Sequence, residues 1–364
     1  MIRILHFISS IQVVDFFRGL AEHHDRSAFE LHVCTLDGPG PLQAALAPLG
    51  VRGYALGSGG RLRYPLAVLR LARLLRRERI DVIHTHLFDP SAVGMLAGLL
   101  ARTPGRVMTR WYSDLHEVLG RPVHAWIDGR VACLAHVVIA ISEYTRDVLV
   151  RDEGLPAARV RVIHPAFESP ANLAEHPRDG HGEMAGCQLG IAARLHPVKD
   201  HRSLLLAFRR VLDACPQARL HVVGAGWLEP ELRALAAELG IDKAIEFAGF
   251  QRDMAQVYRK LDILVHPVIE EAFGFVVVEA MARGIPVVCT PRGIAREIIV
   301  DGVNGRLVPV GDPPALADAL IGLIESPDLR ARLGAAGRES VRGRFSYEAT
   351  ARAYEAVYRE VRGR

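Results

Sequence analysis

Strand-like and helix-like segments alternate along this chain in two runs, and a stretch rich in proline and glycine separates them. In the first run, apolar segments at 2–8, 29–35, 81–86, 106–110, 137–141 and 160–164 have the length and character of buried parallel strands. Segments with helical spacing lie between them at 14–23, 65–79, 91–101, 122–135 and 143–150, the last with Ser142 placed as an N-cap. Residues 168–186 hold Pro170, Pro177, Gly180, Gly182 and Gly186 without apolar periodicity, and read as an interdomain linker. The second run predicts strands at 187–193, 218–223, 244–248, 261–265, 286–290 and 305–308. Its helices are expected at 202–214, 228–239, 254–261, 275–283, 293–300, 313–325, 327–339 and 346–361. Such alternation constrains the chain to α/β architecture, one doubly wound parallel sheet per run. With 364 residues there is enough chain for two such domains, expected at 1–168 and 187–345, followed by a last helix within 346–364.

The chemistry concentrates in the stretch from Leu264 to Gly284. His266-Pro267 ends a strand, because proline cannot extend a central one. Residues 270–274 form a turn in which Gly274 permits close backbone approach. A helix over 275–283 follows, with Gly284 at its C-terminal cap. Glu271 stands in the turn, and Glu279 lies inside an otherwise apolar helix. An unpaired buried carboxylate is costly, so Glu279 must face hydrogen-bond donors. The helix start offers unpaired N–H groups and the positive end of the dipole, a seat for phosphate. Phosphate-ready amides flanked by carboxylates that accept from hydroxyls describe a sugar-nucleotide site.

The spacing Glu271-x7-Glu279 sits among Phe273-Gly274, Glu279-Ala280-Met281-Ala282 and Gly284-x-Pro286-Val287-Val288. In that setting it resembles the signature of family 4 retaining glycosyltransferases of the GT-B fold. The resemblance implies two Rossmann-like domains facing a central cleft, with the last helix packed back on the first. It also implies retaining transfer of a sugar from a nucleoside-diphosphate sugar, the donor substrate, to a hydroxyl acceptor, with neither cofactor nor metal. Arg194 and Lys199, just after the second domain's first strand, resemble the pair that balances charge on the leaving diphosphate. From the residues alone, two cations at a strand's carboxyl end suit a diphosphate and also fit an ordinary surface. By the same resemblance Glu271 would accept from sugar hydroxyls, beside the amides of Phe273, Gly274 and Phe275, and Glu279 from the ribose. Gly224, in Gly224-Ala225-Gly226, resembles a Gly-x-Gly loop near the nucleotide. Phe250 matches a position that contacts the base, and reads equally as core.

The first domain departs from the family pattern. Where relatives carry a Gly-Gly loop after the first strand, this chain has Ser9-Ser10-Ile11-Gln12, with no glycine before Gly19. Trp111 stands in the place of a histidine, and His116 or Asp114 could replace it; His116 is the candidate for a catalytic role. His84-Thr85-His86 resembles an Asp-x-x-His-x-His site and also fits a packing or capping role. The acceptor is expected on this domain, at strand ends carrying Trp111, Asp114, His116 and His86. These departures leave an alternative, a nucleotide-sugar-binding accessory subunit without transfer activity. A nicotinamide dehydrogenase would need G-x-G-x-x-G after a first strand with an acidic residue about 20 positions on. Neither run has that combination.

Net charge is +4, too small to imply a nucleic-acid partner. The five scattered cysteines form no C-x-x-C pair and read as reduced core thiols of a cytoplasmic protein. Sixteen histidines show no metal-ligand spacing such as H-E-x-x-H. The first residues read as a strand rather than a signal peptide, and no apolar run approaches the ~18 residues of a membrane span. Arg70, Arg73 and Arg77 share a face of the 65–79 helix, with Arg76 adjacent. That pattern suits peripheral contact with an anionic membrane at its inner face, as well as a solvated surface.

Overall fold

The computed structural model describes residues 1–9, 14–113, 119–166 and 186–363. The chain divides into two compact units, Met1–Glu168 with Phe345–Arg364, and Ser169–Arg344. Each is built on one parallel sheet.

Unit 1 contains β1 (Ile2–Ile8), β2 (Phe29–Thr35), β3 (Arg52–Ala55), β4 (Val82–His86), β5 (Gly105–Arg110), β6 (Val137–Ala140) and β7 (Val160–Val162). Their order is β3-β2-β1-β4-β5-β6-β7, so the winding reverses between β1 and β4. Helices α1 (Val14–His23), α2 (Pro41–Leu46), α3 (Tyr64–Arg77), α4 (Phe88–Ala101), α5 (Pro122–Ala132) and α6 (Glu143–Asp147) connect them. Apolar side chains from both sheet faces meet these helices in separate cores, one around Ile4, Phe17 and Val107, another around Leu5, Leu71 and Ile83. Ser142 does cap α6, its hydroxyl accepting from the Thr145 N–H at 3.0 Å. Neither α2 nor β3 is among the elements expected above. The latter is an edge strand whose residues are mostly exposed, so it carries no apolar run.

Unit 2 contains β8 (Gln188–Ala192), β9 (Arg219–Val223), β10 (Ile245–Gly249), β11 (Ile263–His266), β12 (Val287–Cys289) and β13 (Arg306–Leu307). The order β10-β9-β8-β11-β12-β13 again reverses at the first strand. The helices are α7 (His201–Ala214), α8 (Glu229–Glu238), α9 (Met254–Arg259), α10 (Phe275–Ala282), α11 (Ala295–Ile298), α12 (Pro313–Glu325) and α13 (Pro327–Val341). The helix expected at 293–300 shrinks to one turn, because Gly293 is left-handed at φ +54° and Ile299 is extended.

The last helix, α14 (Tyr347–Arg362), belongs to unit 1, where it packs on α1, β4 and β5. It buries Thr350, Tyr354, Val357, Tyr358 and Val361. Tyr358 also completes a chain of buried polar groups. His6 and His86, 80 residues apart, meet because β1 and β4 are neighbours, with Nδ1 of one 3.0 Å from Nε2 of the other. Trp111 Nε1, which can only donate, reaches His86 Nδ1 at 3.1 Å. His86 therefore carries its proton on Nε2 and donates to His6 Nδ1. His6 Nε2 faces the Tyr358 hydroxyl at 3.5 Å, which donates to His84 Nδ1 at 2.7 Å. His84 Nε2 donates to Thr109 Oγ1 at 2.6 Å. The three rings approach closely enough to suggest a metal triad. All six ring nitrogens are nevertheless engaged in this one directed chain. Burial pushes the His6 pKa down to about 3 and those of His84 and His86 well below the usual histidine range.

Two expectations need correction here. Cys133 is exposed, Cys187 and Cys215 are half-buried, and only Cys34 and Cys289 are core thiols. His86 is wholly buried and engaged by His6 and Trp111, so it offers nothing to an acceptor.

Candidate active site

In unit 2 the residues singled out from sequence gather at one edge of the sheet, where the parallel strands end. Arg194 and Lys199 follow β8, Gly224 follows β9, Phe250 follows β10, and Glu271 to Phe275 follow β11. Open α/β sheets bind ligands at that edge.

The loop after β8 is shaped by the glycines after β9. Gly224 sits at φ +135°, and a Cβ there would lie 1.9 Å from the Ala193 carbonyl oxygen. A Cβ on Gly226 would lie 2.2 Å from the Leu195 carbonyl oxygen. These glycines let the backbone carrying Arg194 come close, and Leu195 N–H donates to Ala225 O at 3.1 Å. Arg194 is exposed, and among the described residues its guanidinium has no partner. Lys199 closes a short 3₁₀ turn and is only 8% exposed.

Lys199 Nζ donates to Glu271 Oε2 at 2.9 Å and to the Glu270 carbonyl at 3.2 Å. His266 Nε2, at the end of β11, lies 3.0 Å from the same Glu271 oxygen. Burial alone would raise the Glu271 pKa; the Lys199 ammonium and the His266 ring bring it down to about 2. The carboxylate is therefore ionised, Oε2 is saturated, and Oε1 remains to accept from a ligand. Lys199 keeps one of its three N–H groups. Gly293 closes the turn from behind. At φ +54°, its Cβ position lies 2.5 Å from Phe273 O and 3.1 Å from the Glu271 side chain. Ile294 N–H donates to Phe273 O at 2.7 Å.

Gly274 is left-handed at φ +95° and caps α10, so the first N–H groups of that helix point out of the turn. Phe273 is buried and packs on Phe275 with ring centroids 4.8 Å apart, which fixes the backbone of the cap. Glu279 does have its donor. Tyr258 Oη donates to Glu279 Oε2 at 2.7 Å, and Arg283 stacks over the Tyr258 ring at 4.6 Å. Burial raises the Glu279 pKa, against the Tyr258 hydrogen bond and the Arg283 charge, which lower it.

Phe250 is 72% exposed, which removes the reading of it as core. Trp227, just past Gly226, is likewise exposed. Asp114, His116 and Ser10 lie outside the described residues. Sequence reasoning missed His266, His201 and Tyr258. His201 is buried with neither ring nitrogen hydrogen-bonded; burial, then His266 and Lys199, push its pKa down to about 4. The available signal was a histidine at each of two strand or helix ends facing the site. A buried tyrosine and a buried glutamate each in want of a partner was the signal for Tyr258.

The family described as Glycosyl transferases group 1 matches residues 187–340, and Glycosyltransferase Family 4 matches residues 13–168. The chain is 33% identical to the phosphatidyl-myo-inositol mannosyltransferase of Mycobacterium leprae, over 84% of this chain and 80% of that protein. It is 32% identical to a D-inositol 3-phosphate glycosyltransferase of Streptomyces bingchenggensis, over 77% of this chain and 66% of that one. Among solved structures, Anabaena HepE in complex with UDP-glucose is similar at a TM-score of 0.81 and 22% identity, over 99% of this chain and 100% of that one. That likeness shows the fold, GT-B. With the family matches and 33% identity to a mannosyltransferase over 84% of its length, the chain belongs to the family 4 glycosyltransferases.

Proposed function

We propose that this glycosyltransferase moves a sugar from a nucleoside-diphosphate sugar to a hydroxyl acceptor with retention of anomeric configuration. The observation that carries the reading is the Lys199–Glu271–His266 cluster beside the start of α10. It combines an ionised carboxylate with one free oxygen, a cation with one free N–H, and helix amides suited to phosphate. The UDP-glucose bound by HepE supports the same donor class.

Mechanistically, the diphosphate would sit against the first amides of α10, with Arg194 and Lys199 balancing its charge. The free Glu271 oxygen would accept from a sugar hydroxyl, and Glu279 from the ribose. As the bond from the anomeric carbon to the diphosphate breaks, its electron pair leaves with the phosphate oxygen. The cations stabilise that charge where it develops. The acceptor oxygen bonds to the same face, and its proton passes to the departing diphosphate. Proton NMR of the first-formed product, before mutarotation, should show the donor's anomeric configuration; an inverted product overturns this mechanism and calls for a general base opposite the leaving group.

The proposed second partner is an anionic membrane surface. No helix among the described residues is long and apolar enough to cross one. On α3 and the turn before it, Leu62 is 100% exposed, Leu66 44% and Leu69 45%, beside exposed Arg70, Arg73, Arg76 and Arg77. Exposed leucines beside arginines suit an anionic lipid surface. The protein should co-sediment with phosphatidylglycerol vesicles and not with phosphatidylcholine vesicles. Arg70→Glu with Arg73→Glu should reduce binding about tenfold or more, since each basic residue near such a surface contributes ~1 kcal/mol. Equal binding to both vesicle types would remove the membrane from the proposal.

A further inference from the structure

At the carboxyl ends of β1, β2, β4 and β5, unit 1 has an open cavity of about 330 Å³. Its wall includes Ser9, Asp37, Tyr64, Phe88, Asp89 and Tyr112. Ser9 follows β1, Asp37 follows β2, Phe88 and Asp89 open α4 after β4, and Tyr112 follows β5. The cavity thus lies where the strand order reverses, the place at which open α/β sheets take ligands.

The chemistry of the wall is specific. Asp37 is half-buried, and its carboxylate has no hydrogen bond or ion pair with a described residue. Asp89 is held from the rim by Arg61, with Nε 3.2 Å from Oδ1 and Nη2 3.4 Å from Oδ2. Tyr64 lies near enough to both carboxylates that, after burial, their fields raise its pKa. The Tyr112 hydroxyl is committed to Asp128 at 2.7 Å. Two carboxylates against one arginine leave a net negative charge around a space walled by aromatic rings. Ionised carboxylates only accept hydrogen bonds, which matches hydroxyl donors. The start of α4 also borders the cavity, but Asp89 in its first turn already sits against the positive end of that helix and Pro90 has no N–H, so a phosphate placed there would meet charge of its own sign. The relatives above are named for a phosphatidylinositol and an inositol 3-phosphate, and this cavity has the wrong charge for such a group.

We infer that the acceptor is an uncharged polyol or saccharide, whose hydroxyls are held by Asp37 and Asp89 in this cavity. The inference rests on the transferase reading and names its second substrate class. Asp37 and Asp89 bind and orient the acceptor.

Ligand-observed NMR on the full chain, saturated with UDP or GDP according to which raises its melting temperature, tests this. The probes are methyl glucoside, methyl mannoside and myo-inositol against glucose, mannose and inositol monophosphates. The uncharged set should bind about tenfold or more tightly than the monophosphates. Asp37→Asn and Asp89→Asn should each weaken that binding about tenfold or more, the size of one hydrogen bond to a charged group, with nucleotide affinity unchanged. Asp37→Asn removes no contact with a described residue, so it keeps the test clear of folding defects. Preference for the monophosphates overturns the inference, as does binding of neither set, or of the uncharged set unaffected by both substitutions. Failure to bind any nucleoside diphosphate would instead count against the donor reading.

Discussion

Unit 1 should lose about 6 kcal/mol of stability between pH 7.5 and pH 5, much of what holds an ordinary domain together. His6, His84 and His86 are neutral in the fold because burial lowers their pKa values, to about 3 for His6. In the unfolded chain each titrates near 6.5. Below that value the unfolded state binds protons that the folded state refuses. Stability therefore falls with pH from about 6.5 down to the folded pKa values, and above 6.5 the penalty is absent. At pH 5 each histidine contributes about 2 kcal/mol of it. Urea titrations followed by circular dichroism should show the midpoint falling steeply over this range. His84→Gln, which can still accept from Tyr358 and donate to Thr109, should reduce the slope by about a third. A midpoint that is flat from pH 7.5 to 5 would mean that the rings charge in place, and the directed chain described above would be wrong.

Lys199→Ala should have the second large effect, and on two observables at once. It leaves Glu271 half-buried with only His266 as partner, and breaking one side of such a pair costs about 3 kcal/mol of stability. It also removes a cation from the proposed diphosphate seat. Turnover should fall about 100-fold, the upper range for one hydrogen bond to a charged group. Glu271 should then titrate above its present pKa of about 2, since its largest favourable charge is gone. Its ionised, stabilised form would be lost at a higher pH than in the native protein as acid is added. Adding Glu271→Gln to Lys199→Ala should restore part of the stability and none of the activity. Calorimetry and initial rates on the two single variants and the double give the cycle. A Lys199→Ala protein as stable and as active as the native one would mean that the ion pair is incidental.

Local patterns were legible in the sequence and long-range ones were not. Buried parallel strands such as β1, β2 and β9 are short segments dominated by apolar residues, so they were found within a residue or two. β3, with Arg52 and Gly53 exposed at a sheet edge, has no such run and was invisible. The turn from His266 to Phe275 was readable because strand end, glycine cap and helix are contiguous. The pairing of Lys199 with Glu271, 72 residues apart, follows from β8 lying beside β11, and only the fold supplies that. The same holds for His6 with His86, and for Asp37 with Asp89 in the unit 1 cavity. In each case no spacing rule applies, because the strand order jumps at the reversal. Phe250 was ambiguous because an aromatic residue after a strand has the same sequence appearance whether it turns inward or out.

The assignment of α14 to unit 1 has a consequence for how the chain is made. Its tyrosines, Tyr354 and Tyr358, fill the space against β4 and β5, yet they come after all of unit 2 in the polypeptide. A ribosome working from the N-terminus therefore delivers the second sheet whole while the first still lacks one wall. His6 and His84 have no tyrosine between them until α14 emerges. The half that is synthesised first is the half that is finished last.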